Sequence, residues 1–111
     1  MREKIFAYIK KKYKAAPEYP WGEEDGAVLR HRDSRKWFAL AMNIGREKLG
    51  LAGEGKVDVI NLKIDDMAFR DVLLQDKGIF PAYHMNKEHW ITVLLDGTVE
   101  EDQVCNLIDL S

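Results

Sequence analysis

The side chains best suited to binding a ligand are concentrated in one short stretch of the chain, residues 81–90. Two imidazoles and one lysine alternate there with two aromatic rings, in the order Tyr83, His84, Lys87, His89 and Trp90. Cationic or titratable donors hold phosphates, and flat aromatic faces stack on bases. This mixture of side chains therefore suits contact with a nucleic acid, with Asn86 as a further polar group.

The same stretch has a purely structural interpretation, which the sequence leaves open. In that case Tyr83 and Trp90 are core aromatics, and the two histidines hydrogen-bond to the backbone. Asn86 then shapes a turn between Tyr83 and His89, since asparagine side chains bond readily to nearby backbone. The exposure of Trp90, His84 and Lys87 would decide between the two interpretations.

A metal site or a cofactor site is not expected. His84 and His89 lie five residues apart across a turn, which is not the i, i+4 spacing of a helical pair, and no cysteine or third histidine is close in sequence. The acidic runs Glu23-Glu24-Asp25 and Glu100-Glu101-Asp102 could form only weak, exposed sites. Helix capping or a solvated face is the simpler role for both runs.

Catalysis also lacks a sequence signature. The chain contains no Gly-x-Ser-x-Gly motif, no glycine loop followed by Lys-Ser or Lys-Thr, and no GxGxxG motif after a strand. The single cysteine, Cys105, falls among positions expected to face inward on the last helix, so a buried, inert thiol is expected. We therefore predict a noncatalytic protein.

Size and composition favour one domain, residues 1–111, with one core. The chain has 111 residues, of which 46% are hydrophobic and 32% charged, so it carries enough apolar material to fold. One cysteine cannot form an internal disulfide, and no apolar run reaches the roughly 18 residues that span a bilayer. We expect a monomer in the cytoplasm with no membrane contact.

Charge is distributed unevenly along the chain, although the net charge is only −2. Residues 1–14 hold six Lys or Arg against one Glu, whereas residues 96–111 hold five Asp or Glu and no Lys or Arg. This asymmetry indicates either a side that faces a polyanion or two helices that attract each other across the fold. Basic side chains could form one continuous patch for phosphates if they converge: Lys4, Lys11, Lys14, Arg30, Arg32, Arg35 and Lys36.

Hydrophobic spacing predicts the elements of the first half. Ile5, Phe6, Ile9 and Tyr13 form one stripe of a helix over residues 2–14, which must end near Ala16 because Pro17 follows. Residues 27–32 and 36–44 read as a hairpin, with the turn at Asp33-Ser34-Arg35. Its second strand is expected to place four side chains on one core face: Phe38, Leu40, Met42 and Ile44. The four glycines within residues 45–56 favour an irregular excursion.

The second half alternates strands and helices. Residues 57–64 predict a central strand, with burial on both sides or a bulge near residues 58–60. Asp65 or Asp66 can cap a helix that runs to about Asp76, buries Met67, Phe69, Val72 and Leu73, and stops at Gly78. Another strand is expected over residues 89–95, and a last helix capped by Thr98 should bury Val104, Leu107 and Ile108. The order of elements predicts an α+β fold with helices packed on a mainly antiparallel sheet.

Three stretches resemble the MmcQ/YjbR-like family. They are Tyr19-Pro20-Trp21-Gly22-Glu23, Val59-Ile60-Asn61-Leu62-Lys63, and the long stretch Pro81-Ala82-Tyr83-His84-Met85-Asn86-Lys87-Glu88-His89-Trp90-Ile91-Thr92-Val93 followed by Leu95-Asp96-Gly97. The last is the most distinctive, and Lys36-Trp37-Phe38-Ala39-Leu40 also fits the family's second hairpin strand. Together they span almost the whole chain.

The resemblance implies a frataxin-like, two-layer α+β fold and a DNA-binding role through two hairpin-like wings. We expect contacts with backbone phosphates rather than base-specific readout, because residues 1–14 offer mostly lysine and few base-reading side chains. The expected contact residues are those of the two regions: Arg30, Arg32, Lys36, Tyr83, His84, Asn86, Lys87, His89 and Trp90. The alternative is a protein-interaction or regulatory domain that binds a peptide or a subunit through the surface from Tyr83 to Trp90.

Overall fold

A computed structural model describes residues 1–22 and 26–111 of the chain. Within these ranges the elements are α1 (Arg2–Tyr13), β1 (Ala27–Arg30), β2 (Trp37–Gly45), a 3-10 helix (Arg46–Leu49), β3 (Lys56–Lys63), α2 (Met67–Leu73), β4 (Ile79–Pro81), β5 (Trp90–Leu94) and α3 (Glu101–Leu110). The strands form one antiparallel sheet in the order β1-β2-β3-β5-β4, with β3 at its centre. The predicted α+β class and the central position of residues 57–64 are confirmed.

The helices cover one face of the sheet. Ile5 and Ile9 of α1 and Leu107 of α3 are buried in the same core as Ile60 and Leu62 of β3. The stripe predicted for α1 is therefore its packing face. The helix ends at Tyr13 because Lys14 takes a left-handed conformation, φ 57°, and its N–H bonds to the carbonyl oxygen of Lys10.

The opposite face of the sheet carries a second core, which consists of Val28, Leu40, Met42, Val57, Val59 and Leu94. Side chains from two irregular segments pack against it, among them Leu49 and Leu51 of the excursion after β2 and Tyr83 and Met85 before β5. Both faces of β3 are thus buried, and its pairing with β2 and β5 runs without a register shift. Burial on both sides, rather than a bulge, explains the apolar residues of both parities in β3.

The predicted single core face of β2 is wrong at Phe38. Leu29 pairs with Ala39 whereas Arg30 pairs with Trp37, so Phe38 is an extra residue in the β2 strand. Such a bulge reverses the alternation of side chains beyond it. Phe38 consequently packs in the core on the helix side, while Leu40 and Met42 lie in the second core.

The prediction for α2 is correct at its start and wrong about its buried face. Asp66 caps the helix, since its carboxylate accepts a hydrogen bond from the N–H of Phe69 at 3.1 Å. The helix ends at Leu73, three residues before Asp76, and Leu73 is its only buried residue. The other three apolar residues are exposed, namely Met67, Phe69 and Val72. The helix has only two turns and reaches the core at a single position because α1 and α3 already pack on that face of the sheet.

Two further differences concern the ends of elements. Thr98 does not cap α3; Glu100 occupies the N-cap position without a side-chain cap, and the N–H of Thr98 bonds to the carboxylate of Asp96 at 2.9 Å. The three-residue strand β4 escaped prediction because it is too short to show alternation. Gly78 precedes it at φ 89°, and a Cβ there would meet Cγ2 of Val99 at 2.8 Å, so glycine is required.

Candidate nucleic-acid interface

Residues 82–89, hereafter the crossing segment, are fixed to the sheet by a buried polar network. The side-chain amide of Asn61 donates to the carbonyl oxygen of Tyr83 at 2.8 Å, and the N–H of Tyr83 donates to the hydroxyl of Thr92 at 2.9 Å. That hydroxyl donates in turn to the carbonyl oxygen of the Asn61 side chain. Asn61 and Thr92 are completely buried. The network satisfies both polar groups, so the crossing segment is held in one position.

Trp90 and Asn86 take the structural roles that the sequence left open for them. Trp90 is only 8% exposed, so no base can stack on its face while the fold is intact. The carboxamide oxygen of Asn86 accepts from the N–H of Glu88 at 2.8 Å, and its backbone carbonyl accepts from the N–H of Trp90 at 3.0 Å. Asn86 therefore builds the turn that returns the chain to β5.

The cationic residues of the crossing segment are accessible. His84 and Lys87 are exposed, and His84 has a left-handed backbone, φ 64°, with its ring 3.9 Å from that of Tyr83. His89 is half-buried, and its Nδ1 lies 3.9 Å from the carboxylate of Asp65 without a hydrogen bond. Within the described residues, Nδ1 of His89 makes no hydrogen bond to the backbone. The exposed part of the segment is polar, and the charges of Lys87 and Glu88 cancel when histidine is counted as neutral.

Tyr83 also forms one wall of a cavity of about 480 Å³ on the sheet face opposite the helices. The rest of the lining comes from the end of β2, the excursion after it and the first residue of β3, including Asn43, Glu47, Lys48 and Lys56. Neither His84 nor Asn86 lines this cavity. A small ligand there would meet Tyr83 and two lysines rather than the histidines.

A second group of cations converges at the turn of the β1-β2 hairpin. Lys14, Arg30, Arg32 and Arg35, hereafter the basic hairpin cluster, line one cavity of about 240 Å³. The hairpin turn that presents the arginines is held by hydrogen bonds, since the N–H of His31 donates to the carbonyl of Lys36 at 2.8 Å. Lys14, which directly follows α1, is the member of this cluster from residues 1–14. The convergence that the sequence left open is found for Lys14, Arg30, Arg32 and Arg35, whereas Lys4, Lys11 and Lys36 do not line this cavity.

One carboxylate lies within the basic hairpin cluster. Glu18 reaches the side chain of Arg35 at 3.2 Å and Nε of Arg30 at 3.4 Å, through the same oxygen. An isolated bridge between Glu18 and Val28 brings this residue beside β1. Within the described residues, Arg32 and Lys14 form no ion pair. Four positive charges thus share one negative charge, which leaves the cluster strongly cationic.

Two tryptophans adjoin the cluster, and sequence reasoning gave neither a binding role. The guanidinium of Arg30 lies over the ring of Trp37 at 5.5 Å. Trp21 meets Trp37 edge to face, with the ring centres 5.6 Å apart and the planes at 74°. Trp21 is 51% exposed, which is unusual for so large an apolar ring. Its place in a family motif was the one signal that could have drawn attention to it.

The charge asymmetry between the two ends of the chain is partly explained by contact between α1 and α3. Lys12 pairs with Asp109 at 2.9 Å, and the hydroxyls of Tyr8 and Tyr13 also donate to this carboxylate. Burial raises the pKa of Asp109, but the three donors outweigh it, and the pKa lies below its usual value. Burial, together with the bond to Asp109, raises the pKa of Tyr13 to about 12. This part of the basic helix is therefore engaged within the fold.

The crossing segment and the basic hairpin cluster lie at different parts of the sheet. β1 carries the cluster at one edge, and β4 leads into the crossing segment at the other. Four strand spacings separate these edges, about 19 Å. A ligand that touched both groups would have to extend across the sheet, and the cavity lined by Tyr83 shares no residue with the cavity lined by the basic hairpin cluster.

The other features considered from the sequence are a metal site, the acidic run at residues 23–25, Cys105 and a membrane-spanning segment. Over residues 1–22 and 26–111, no three His, Cys, Asp or Glu side chains are grouped so as to hold a metal ion. The acidic run Glu23-Glu24-Asp25 lies outside the described residues. Cys105 is half-buried rather than buried, and burial followed by the nearby carboxylates of Glu101 and Asp102 raises the pKa of its thiol. No helix in the described part is both long and apolar enough to span a bilayer.

The protein is thus a small α+β domain whose crossing segment is fixed to a five-stranded antiparallel sheet. The YjbR family model matches residues 10–111. The chain therefore belongs to the YjbR family, and the resemblance found in the sequence motifs is confirmed. YyaQ from Bacillus subtilis strain 168 is 45% identical over 111 residues, which cover 99% of this chain and 93% of YyaQ.

Solved structures agree with this assignment. A crystal structure of a Pseudomonas syringae protein matches with a TM-score of 0.92 and 46% identity, covering 98% of this chain and 93% of that one. A Deinococcus radiodurans protein with a DUF419 domain matches with a TM-score of 0.71 at 22% identity, over 97% of this chain and 72% of that one. At that identity the second match supports the fold alone. The names of these proteins state no ligand and no activity.

Proposed function

We propose that this YjbR-family chain is a noncatalytic module that binds DNA through backbone phosphates, chiefly with the basic hairpin cluster. The observation that carries the proposal is the convergence of Lys14, Arg30, Arg32 and Arg35 on one cavity. With Glu18 included, five charged groups carry a net charge of +3 there, although the whole chain carries −2. A local excess of this kind attracts phosphates even when the total charge does not.

The side chains in the cluster suit phosphate better than base edges. Arginine presents a planar fork of donors that matches phosphate oxygens, and three of the four cations are arginines. Lys36 is exposed beside them on the same turn and can add a further contact. Asparagine and glutamine, which read adenine in pairs of hydrogen bonds, do not line the cavity. The proposed binding is therefore insensitive to base sequence.

The crossing segment has a supporting role in this proposal. His84 and Lys87 are exposed and can meet a phosphate of a long DNA, whereas Trp90 and Asn86 maintain the fold of the segment. Tyr83 is half-buried against the second core and His89 sits beside Asp65. The aromatic support expected from Tyr83 and Trp90 thus acts on the protein's own structure.

The rival proposal, a peptide or subunit bound through the surface from Tyr83 to Trp90, receives less support. Protein interfaces are usually anchored by exposed aromatic or arginine side chains. Trp90, the aromatic residue at the end of this surface that could anchor a partner, is buried. Its exposed neighbours are His84, Asn86, Lys87 and Glu88. This polar surface lacks a large apolar side chain that a partner could bury.

The noncatalytic assignment rests on the chemistry of the described residues. The raised pKa of Cys105 keeps its thiol protonated at neutral pH, which is unfavourable for a nucleophile. A monomer in a reducing cytoplasm remains our proposal for its state in the cell, because one half-buried thiol provides no cross-link.

Fluorescence anisotropy with a labelled 20-base-pair duplex tests the proposed function. If the cluster neutralises about three phosphates, the logarithm of the binding constant should fall with a slope of about −2.7 against the logarithm of salt concentration, and affinity should weaken about 40-fold between 50 and 200 mM salt. Arg32→Gln should weaken binding several-fold, whereas Lys77→Gln, before the opposite edge strand, should not. No binding of this duplex, or of either of its separated strands, at tens of micromolar protein in low salt would rule out the proposal.

A further inference from the structure

We infer that the basic hairpin cluster takes single-stranded DNA, with the exposed face of Trp21 stacking on one base while the arginines hold the adjoining phosphates. The inference rests on the proposed function and specifies the form of DNA that the same site accepts. It gives a role to Trp21, whose side chain is exposed and belongs to neither of the two cores.

The geometry joins the indole of Trp21 to the cations through one intermediate ring. The ring centres of Trp21 and Trp37 are 5.6 Å apart in an edge-to-face contact, and the guanidinium of Arg30 lies 5.5 Å from the ring centre of Trp37. Arg30 in turn lines the cavity with Lys14, Arg32 and Arg35. A stacking surface and a phosphate site therefore lie side by side, as they do where proteins bind single strands.

The contact with Trp37 also holds the ring of Trp21 in place before a ligand binds. Trp37 belongs to β2 and packs against the second core, so its position is fixed by the sheet. Its contact with Trp21 orients an indole that is otherwise 51% exposed. A ring already held in place loses little further freedom when a base stacks on it, which favours binding.

A duplex cannot use this surface in the same way. Within a duplex, each base already stacks on its neighbours, and unstacking one of them has a free-energy cost. In a single strand the base faces are available, and every base has a face that can stack. An exposed tryptophan beside a small cationic cavity consequently favours the single strand over the duplex.

The experiment compares three labelled probes at 50 mM salt: a 12-residue oligothymidine, an abasic strand of the same length, and a 12-base-pair duplex. The abasic strand keeps the phosphates and removes the bases, so it separates stacking from charge. Trp21→Ala is compared with Trp21→Tyr, which retains a ring, and with Phe69→Ala, which removes an exposed ring on α2 away from the cluster. Anisotropy gives the affinity, and quenching of tryptophan fluorescence reports stacking.

We expect oligothymidine to bind about 10-fold more tightly than the abasic strand, a difference typical of one stacked base. It should quench the wild-type protein, and Trp21→Ala should lose both the quench and the preference while Trp21→Tyr and Phe69→Ala keep the preference. Equal affinity for oligothymidine and the abasic strand, with no quench in the wild type, would overturn the inference and leave phosphate binding intact. Failure of all three probes to bind would overturn the proposed function as well.

Discussion

The side-chain amide of Asn61 on the central strand donates a hydrogen bond of 2.8 Å to the backbone carbonyl oxygen of Tyr83. This bond joins two stretches of the family sequence pattern that are twenty-two residues apart. It explains why a polar residue stands at the middle of β3, completely buried between apolar neighbours. The conformation of the crossing segment depends on it.

Asn61→Ala should therefore destabilise the protein by about 2–4 kcal/mol, because it leaves the Tyr83 carbonyl oxygen without its donor and the Thr92 hydroxyl without its acceptor, and opens a cavity. Urea unfolding followed by tryptophan fluorescence measures the change. Asn43→Ala is the matched control, since Asn43 is exposed and bonds to Asp58 at 2.9 Å, and should cost less than about 1 kcal/mol. Equal effects of the two substitutions would contradict the importance of the network.

Asp109 should contribute to stability in a pH-dependent way. Its folded-state pKa is lowered, so the folded protein holds the charged carboxylate more strongly than the unfolded chain does. The contribution is present above the unfolded pKa of about 3.9 and is lost as the pH falls through the folded pKa. Because the side chain is about one third exposed, we expect it to be less than about 1 kcal/mol.

The measurement is the free energy of unfolding of wild type and Asp109→Asn at about pH 7 and about pH 3. The variant should be less stable at the higher pH, and the difference should shrink at the lower pH. A difference that stays constant or grows on acidification would mean that the charge of Asp109 does not stabilise the contact between α1 and α3.

The sequence was sufficient to predict elements whose pattern is long and local. The stripe of α1 and the hairpin turn at residues 33–35 follow from spacing within a few residues, whereas for β3 the same kind of spacing left two-sided burial and a bulge both open. The exposed face of α2 could not be predicted in this way. Its apolar residues fit a buried stripe, but whether a helix face is buried depends on what the rest of the fold has already covered.

For the candidate site residues, too, local features could be predicted from the sequence, whereas features set by tertiary packing could not. The polar and aromatic character of residues 81–90 was visible in the sequence, but the burial of Trp90 depends on tertiary packing. Glu18 is seventeen residues from Arg35, and no periodicity indicates that they meet. The bridge between Glu18 and Val28 brings that carboxylate among the arginines. The bulge at Phe38 likewise depends on the pairing of two strands.

Glu18→Gln should raise the affinity for DNA, because it frees Arg30 and Arg35 from their shared carboxylate. We expect binding to strengthen several-fold at low salt and the salt slope to steepen by about one. The pairs are largely exposed, so stability should change by less than about 1 kcal/mol. Anisotropy titrations at three salt concentrations provide both quantities.

Glu88→Gln supplies the comparison for this prediction, since Glu88 is an exposed carboxylate in the crossing segment. It removes the same charge from the whole chain at a different place. Stronger binding by Glu88→Gln, with no change for Glu18→Gln, would move the DNA contact from the hairpin to the crossing segment.

The most direct test of the central claim is a DNA titration of the isotopically labelled protein, followed residue by residue in amide NMR spectra. The basic hairpin cluster predicts that the largest shift changes occur at residues 14–18 and 30–36 and fall away towards Lys77 and Gly78. Smaller changes are expected at His84 and Lys87. Shift changes centred on residues 83–90, with none in the hairpin, would contradict the account.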